Sequence, residues 1–349
     1  MNTAKTDIVI TGLSAISAAG VGSEALMEAL RRGESLLKPV PDEILGEGGH
    51  LWAKADAFRA ADFMPPLKAR KFDRCSLLAV VAAGMALKDA AVTPGSLDST
   101  RIGIVLGCGF GGISNAEQFL SGYFASGAEG LSPMLFPNIV PNASASNASI
   151  EHKLKGPNVT VVQRFCSAES AFLMAHRFLE EDRADIILTG GVDEVFPTML
   201  RCFKAMGQIR NFGAGFGEGA GILVLEKASH ARARKARTVA SVGDIRTIGR
   251  ISPGAQEEGL ARLLPEPHRA EQISLSGTAG FDKWLLERLP DGPRIDIAPI
   301  LGRSLAMGGL SLAALILMLK PGSPGLHLAS SPEGPYFSID LYGGDPVQS

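Results

Sequence analysis

The feature that most constrains this sequence is a rhythm in which apolar runs of strand length end in glycines and give way to segments of helical period. DIVITGLSAISAAG is one such run, and SEALMEALRRG follows it with helical spacing and a glycine stop. RIGIVLGCG at 101–109, GPNVTVVQRF at 156–165, ADIILTGGVDE at 184–194 and GEGAGILVLEK at 217–227 repeat the strand part, each rich in β-branched residues or entered through glycines. Between them, RCSLLAVVAAGMALKDA is small and apolar nearly all round, which predicts a helix packed on several sides. ASASNASIEHKL reads as a small-residue helix and SAESAFLMAHRFLEED, 167–182, as an amphipathic one. Strands alternating with helices favour a layered α/β architecture over a sandwich or a bundle.

Beyond about residue 237 the rhythm starts again, with QISLSGTAG before DKWLLERL and RIDIAPILG before SLAMGGLSLAALILML at 304–319. The chain therefore divides into two related α/β halves, 1–236 and 237–349, the second much the shorter. Residues 38–66, rich in Pro and Gly with little periodicity, read as surface loop.

At 349 residues and 46% hydrophobic, the chain can bury one large core or two fused ones. Its 34 basic and 36 acidic residues nearly cancel and neither sign is concentrated, which argues against a nucleic acid or a membrane surface as partner. MNTAKTDIVITG lacks the marks of a signal peptide and no run of about 18 apolar residues occurs, so the expected location is the cytoplasm. Cys75, Cys108, Cys166 and Cys202 lie far apart without CxxC or histidine spacing, so neither a disulfide framework nor a metal site is expected. No cofactor is expected either, because the GxG and GG clusters lack the acidic residue of a dinucleotide fold.

Cys166 is the one position where chemistry is suggested by local pattern. It falls where a strand ends and a helix begins, so unpaired backbone N–H groups and the positive end of the helix dipole would favour its thiolate. A buried structural cysteine fits the same local sequence.

The order GLSAISAAG, RIGIVLGCGFGG, KGPNVTVVQRFCSAESA, ADIILTGGVDE and GEGAGILVLEK resembles the β-ketoacyl synthases of type II fatty-acid and polyketide synthesis, over most of the chain and in its spacing. The resemblance implies a thiolase-like layered αβαβα fold in two related halves. It also implies that Cys166 in RFCSAES stands at the position of the acyl-accepting cysteine, with Phe165 replacing the small residue before it. The family's two histidines become Ser276 in LSGTAG and Arg303 in APILGRSLAMGGL, and its lysine becomes Ala298; Gly277, Thr278 and Gly302 keep their places and fix the register.

Decarboxylating a malonyl thioester develops an enolate oxyanion that neutral imidazoles stabilise. Ser276 donates weakly, and Arg303 is a bulky cation that does not exchange protons near neutral pH. Losing one such donor typically costs about 10²–10³ in rate, so malonyl condensation is not expected from this chain alone. The remaining histidines, His50, His152, His176, His230, His268 and His327, fall in loops or on helix faces without the family's flanking residues, and a surface or packing role is expected for each.

The resemblance further implies a dimer in which the strand before the cysteine pairs with its partner's copy, here residues 158–165, with Val161, Val162, Gln163, Arg164 and Phe165 at the contact. The segment 107–124 resembles the family's gate, which makes Phe110, Phe119 and Met134 candidates to cap an acyl tunnel, or else ordinary core side chains. Such a chain is similar to a chain length factor, an inactive homologue paired with a catalytic ketosynthase. The implied partners are that ketosynthase and an acyl carrier protein, bound directly or through it. Loops around 207–217 and 250–275 are reduced relative to the family. Two other readings stay open: a Cys166-dependent acyltransferase or thioester hydrolase, and a condensing enzyme with an altered site.

Overall fold

A computed structural model describes residues 7–252, 254–265, 270–289, 292–332 and 334–344. Strands β1 (Ile8–Ser17), β2 (Ile102–Cys108), β3 (Asn158–Val161), β4 (Ile186–Asp193) and β5 (Gly219–Lys227) come from the first half of the chain. The second half supplies β6 (Ala240–Ile248), β7 (Gln272–Gly277), β8 (Arg294–Asp296), β9 (Pro324–Ser330) and β10 (Tyr336–Gly343). Both halves place their strands in the same spatial order, third, second, fourth, fifth, first. The senses repeat as well, parallel among the first three positions of that order and antiparallel among the rest. The halves meet where β1 runs antiparallel to β6, Val9 opposite Ser241 and Ile10 opposite Ala240, giving one 11-stranded sheet that includes the short strand Gly20–Val21.

The principal helices are α1 (Ser23–Arg32), α2 (Arg74–Asp89), α3 (Ile113–Ser126), α4 (Ala143–His152), α5 (Ser167–Glu180) and α6 (Gly308–Met318). The sequence of α6, GGLSLAALILM, has no polar stripe, and Gly308–Ile316 are all buried because the helix lies between the two halves, against β4 and β5 on one side and β7 and β9 on the other. Its approach depends on paired glycines: a Cβ on Gly309 would stand 2.3 Å from the Gly221 carbonyl oxygen, and one on Gly221 2.3 Å from the Gly309 carbonyl carbon. With α5 beside α6, and α2 and α4 outside the first half, the layers are those of the thiolase-like αβαβα fold.

Two local expectations need correction. Residues 38–66 are more than surface loop: Lys38–Pro39 pairs with Leu51–Ala53, which runs parallel to Phe216–Gly217, and Val40, Ala53, Ala55 and Phe58 are buried. These strands are too short to show a period, and tertiary pairing makes them. The run ending at Phe165 is not a fully buried strand; β3 stops at Val161, lies at the end of the sheet, and its residues are exposed or half-buried.

Candidate functional site

Cys166 is the N-cap of α5, as the strand-to-helix pattern predicts, but its side chain has no exposed surface. Its Sγ faces the Pro335 carbonyl at 3.4 Å and packs among Ala329, Phe337 and Leu173. Burial, and after it the Glu169 charge, pushes the thiol well above its ordinary value. That shift runs against the expected thiolate, because desolvation penalises the charged form.

One of the two positions that resemble the family's histidines lies near it. Ser276 lies in β7 opposite Ala329 of β9, the residue against which Cys166 packs. Its Oγ is buried and has no hydrogen-bond partner. Arg303 bridges to Phe216, donates from Nη1 to the Gly277 carbonyl at 3.2 Å, and donates from Nη2 to Asp296 Oδ2 at 3.3 Å. Burial lowers its pKa, and the Asp296 carboxylate opposes that shift. Ala298 is buried in the core beside α6, and its N–H donates to Asp296 Oδ1, so no cation extends from the lysine position.

One histidine departs from the expected loop or helix face. His327 sits in β9 with no exposed surface, its Nδ1 2.6 Å from Ser274 Oγ and its Nε2 3.0 Å from Glu169 Oε1. The reason is topological: parallel pairing puts His327 opposite Ser274, on the face that meets the first turn of α5, where Glu169 follows Cys166. Both ring nitrogens are engaged, so His327 offers no donor to a substrate at Cys166. The sequence gives little sign of this Ser274–His327–Glu169 file, because Glu169 and His327 are 158 residues apart. His50 bonds Glu47, His152 the Val80 carbonyl and His230 Glu226, while His176 is within 3.4 Å of Glu180, as surface and packing residues do. His268 lies outside the described residues.

A second carboxylate group, not singled out by the sequence, ties the gate segment to the centre. Asp193 at the end of β4 accepts from Gly109 N at 2.6 Å and from Ala306 N at 2.7 Å, and burial holds its pKa up at about 6. Glu194 accepts from Ser114 N at 2.8 Å in the first turn of α3, and burial pushes it up to about 7. α3 has no buried residue, and Leu120, Tyr123, Phe124, Met134 and Phe136 are each exposed. Phe110 is partly exposed with its ring 5.9 Å from that of Phe203, and half-buried Phe119 lies 5.8 Å from Phe136.

Of the expected contact residues, Val162 and Gln163 are exposed and Val161 half-buried. Arg164 donates to Gln208 Oε1 at 2.6 Å from a backbone with φ 49°. Phe165 has no exposed surface and packs inside its own subunit on Phe212, which withdraws it from that edge.

The family model for the β-ketoacyl synthase N-terminal domain matches residues 5–231. The 3-oxoacyl-[acyl-carrier-protein] synthase 2 of Rhizobium meliloti (strain 1021) is 33% identical over 297 residues, which are 74% of this chain and 68% of that protein. Among solved structures, the ishigamide ketosynthase/chain length factor is similar with TM-score 0.82 and 23% identity, covering 97% of this chain and 100% of that one. A chain from a type II PKS acyl-carrier protein in complex with its ketosynthase, bound to the hexaketide, gives TM-score 0.82 at 19% identity over 97% and 100%. No helix among the described residues is long and apolar enough to cross a membrane.

Proposed function

This chain belongs to the β-ketoacyl synthase family, and from that premise we propose that it is a chain-length-factor-like subunit, without condensing activity of its own, that pairs with a catalytic ketosynthase and shapes its acyl tunnel. The observation that carries the reading is Arg303: where an imidazole would donate to the enolate, a guanidinium is tied to Gly277 and Asp296, and the other histidine position carries a lone serine hydroxyl. A buried thiol held above its ordinary pKa supports it, since the nucleophile is the thiolate.

The edge at Val161, Val162, Gln163 and Arg164, together with the exposed apolar side chains of α3, is our choice for the partner's docking surface, with Phe110, Phe119 and Met134 as its tunnel-capping residues. Several large apolar side chains exposed on and beside one helix are the kind of surface that an interface covers. An acyl carrier protein would then reach the pair directly or through the catalytic subunit, and we set the boundary between the halves at 236/237. The opposing reading, a condensing enzyme, draws on Cys166 and on the similarity to the Rhizobium 3-oxoacyl-[acyl-carrier-protein] synthase 2.

Co-expression with a catalytic ketosynthase, followed by condensation assays with malonyl carrier protein, separates the two. A stable heterodimer whose activity survives Cys166→Ala but not loss of the partner's cysteine is the expected result. A homodimer that condenses and loses that activity in Cys166→Ala overturns the proposal.

A further inference from the structure

In β4, Ile187 packs with α5 while its neighbours Ile186 and Leu188 pack with α2, so the two helices lie on opposite faces of the sheet. Cys166 belongs to the α5 face. On the α2 face lies a cavity of about 350 Å³. Its floor includes Val80 and Val81 of α2, both buried, with half-buried Met85 one turn further along the helix. Phe63, Met64 and Pro65 line it from the segment before α2, and His152 lines it from the end of α4. The His152 ring is held by Nε2, which donates to the Val80 carbonyl at 2.8 Å. Its room comes from Gly84: a Cβ there would stand 2.8 Å from His152 Cε1. Glycine is unfavourable inside a helix, and here it gives the ring its place.

Three charged residues complete the lining. Lys68 is tied to Glu151, whereas Lys88, exposed in the last turn of α2, has neither an ion pair nor a hydrogen-bond partner among the described residues. The lining therefore carries one unmatched positive charge beside a mostly hydrocarbon surface. Small-molecule sites occupy roughly 300–1,000 Å³ and combine apolar walls with a few polar groups that orient the ligand. Two methionines among the walls suit a flexible chain, because their side chains adapt to irregular shapes. A single cation selects a monoanion: a second negative charge would face Glu151 without a partner of its own.

We propose that this outer cavity is a binding site for a medium-length aliphatic monocarboxylate, with its chain over Val80, Val81 and Met85 and its carboxylate on Lys88 Nζ. The sheet separates the site from Cys166, so a ligand held there is bound without being activated or transferred. This site does not depend on whether the chain pairs with a ketosynthase.

Calorimetric titration of the purified full chain with octanoate, hexanoate, 1-octanol and octylamine tests the site, followed by photolabelling with a diazirine analogue of octanoate and mass spectrometry of the labelled peptide. Octanoate should bind saturably and hexanoate about 15-fold more weakly, since each buried methylene contributes about fourfold. 1-Octanol should bind about fivefold more weakly than octanoate, the upper value for an exposed ion pair, and octylamine should not saturate. Lys88→Gln should lower the octanoate affinity to that of 1-octanol while leaving 1-octanol unchanged, a split that a merely structural lysine would not give. Met85→Trp, which fills the cavity, should abolish saturation, and the label should fall on residues 63–68, 80–88 or 151–152. Should Met85→Trp fail to fold, the Lys88→Gln comparison and the labelled peptide still decide the matter. The proposal is overturned if octanoate does not saturate, if 1-octanol or octylamine binds as tightly, if Lys88→Gln leaves octanoate unchanged, or if the label falls elsewhere in the chain.

Discussion

The two halves of the molecule share a strand order and sense, yet they differ in what they keep at the centre. The first half carries a cysteine at the start of α5, preceded by Phe165 and followed by the small residues Ser167 and Ala168. The second half carries Ser276 and Arg303 at the positions that resemble the family's histidines, next to Gly277, Thr278 and Gly302, on which that resemblance rests. On that resemblance, it is the polar side chains and not the turn-making backbone positions that differ. A layered fold depends on buried apolar faces and a few glycines, whereas oxyanion chemistry depends on two or three donors placed within about 3 Å of one atom. The first set survives loss of the second.

If the halves are joined as tightly as α6 suggests, the largest effect should come from the glycine contact between them. Gly309→Val puts atoms inside the Gly221 backbone and should cost more than about 4 kcal/mol. The expected outcome is loss of soluble folded protein, and normal yield with an unchanged melting curve would break the comparison. The polar link between the halves comes next. Glu169→Ala leaves His327 Nε2 buried without its partner beside an empty place and should cost about 2–4 kcal/mol in chemical denaturation, from the unmet hydrogen bond and the cavity together. Glu169→Gln, which keeps an acceptor for Nε2, should cost less. If the two variants are equal, the link acts through volume and not through the hydrogen bond.

The smallest effect concerns Glu194, which binds the gate segment to the first half. Its folded pKa of about 7 lies above the unfolded value of 4.5. The folded chain therefore holds a proton that the unfolded chain releases, and the contribution of this group to stability falls as pH rises from about 4.5 to about 7, then levels off. Asp193, raised from 3.8 to about 6, acts in the same sense. Glu194→Gln should thus gain about 1–3 kcal/mol over the parent at pH 7.5 and much less at pH 5. Parallel melting curves across that range would sharpen the comparison the other way, assigning the pH response to other groups.

Much of this was legible from the residue pattern. The Gly-ended apolar runs located β1, β2, β3, β4, β5, β7 and β8, most of them because burial on both faces leaves a continuous apolar signal, whereas β6, β9 and β10 matched no such run. The all-apolar α6 and the N-cap position of Cys166 were legible for the same reason. The strands at 38–39 and 51–53 were not, since two or three residues carry no period and their pairing partner lies at Phe216.

By itself the sequence determined the layered α/β class, the repeat of the strand–helix unit, the place of the cysteine, and the substitution of Ser276, Ala298 and Arg303 at the positions resembling the family's polar residues. Those are properties of local periodicity and order along one chain. Only the tertiary structure decided the state of the thiol, the Ser274–His327–Glu169 file and the bond of Arg303 to Gly277. Each of these depends on desolvation and on distances between residues far apart in the sequence, and neither quantity exists until the two halves close around α5 and α6.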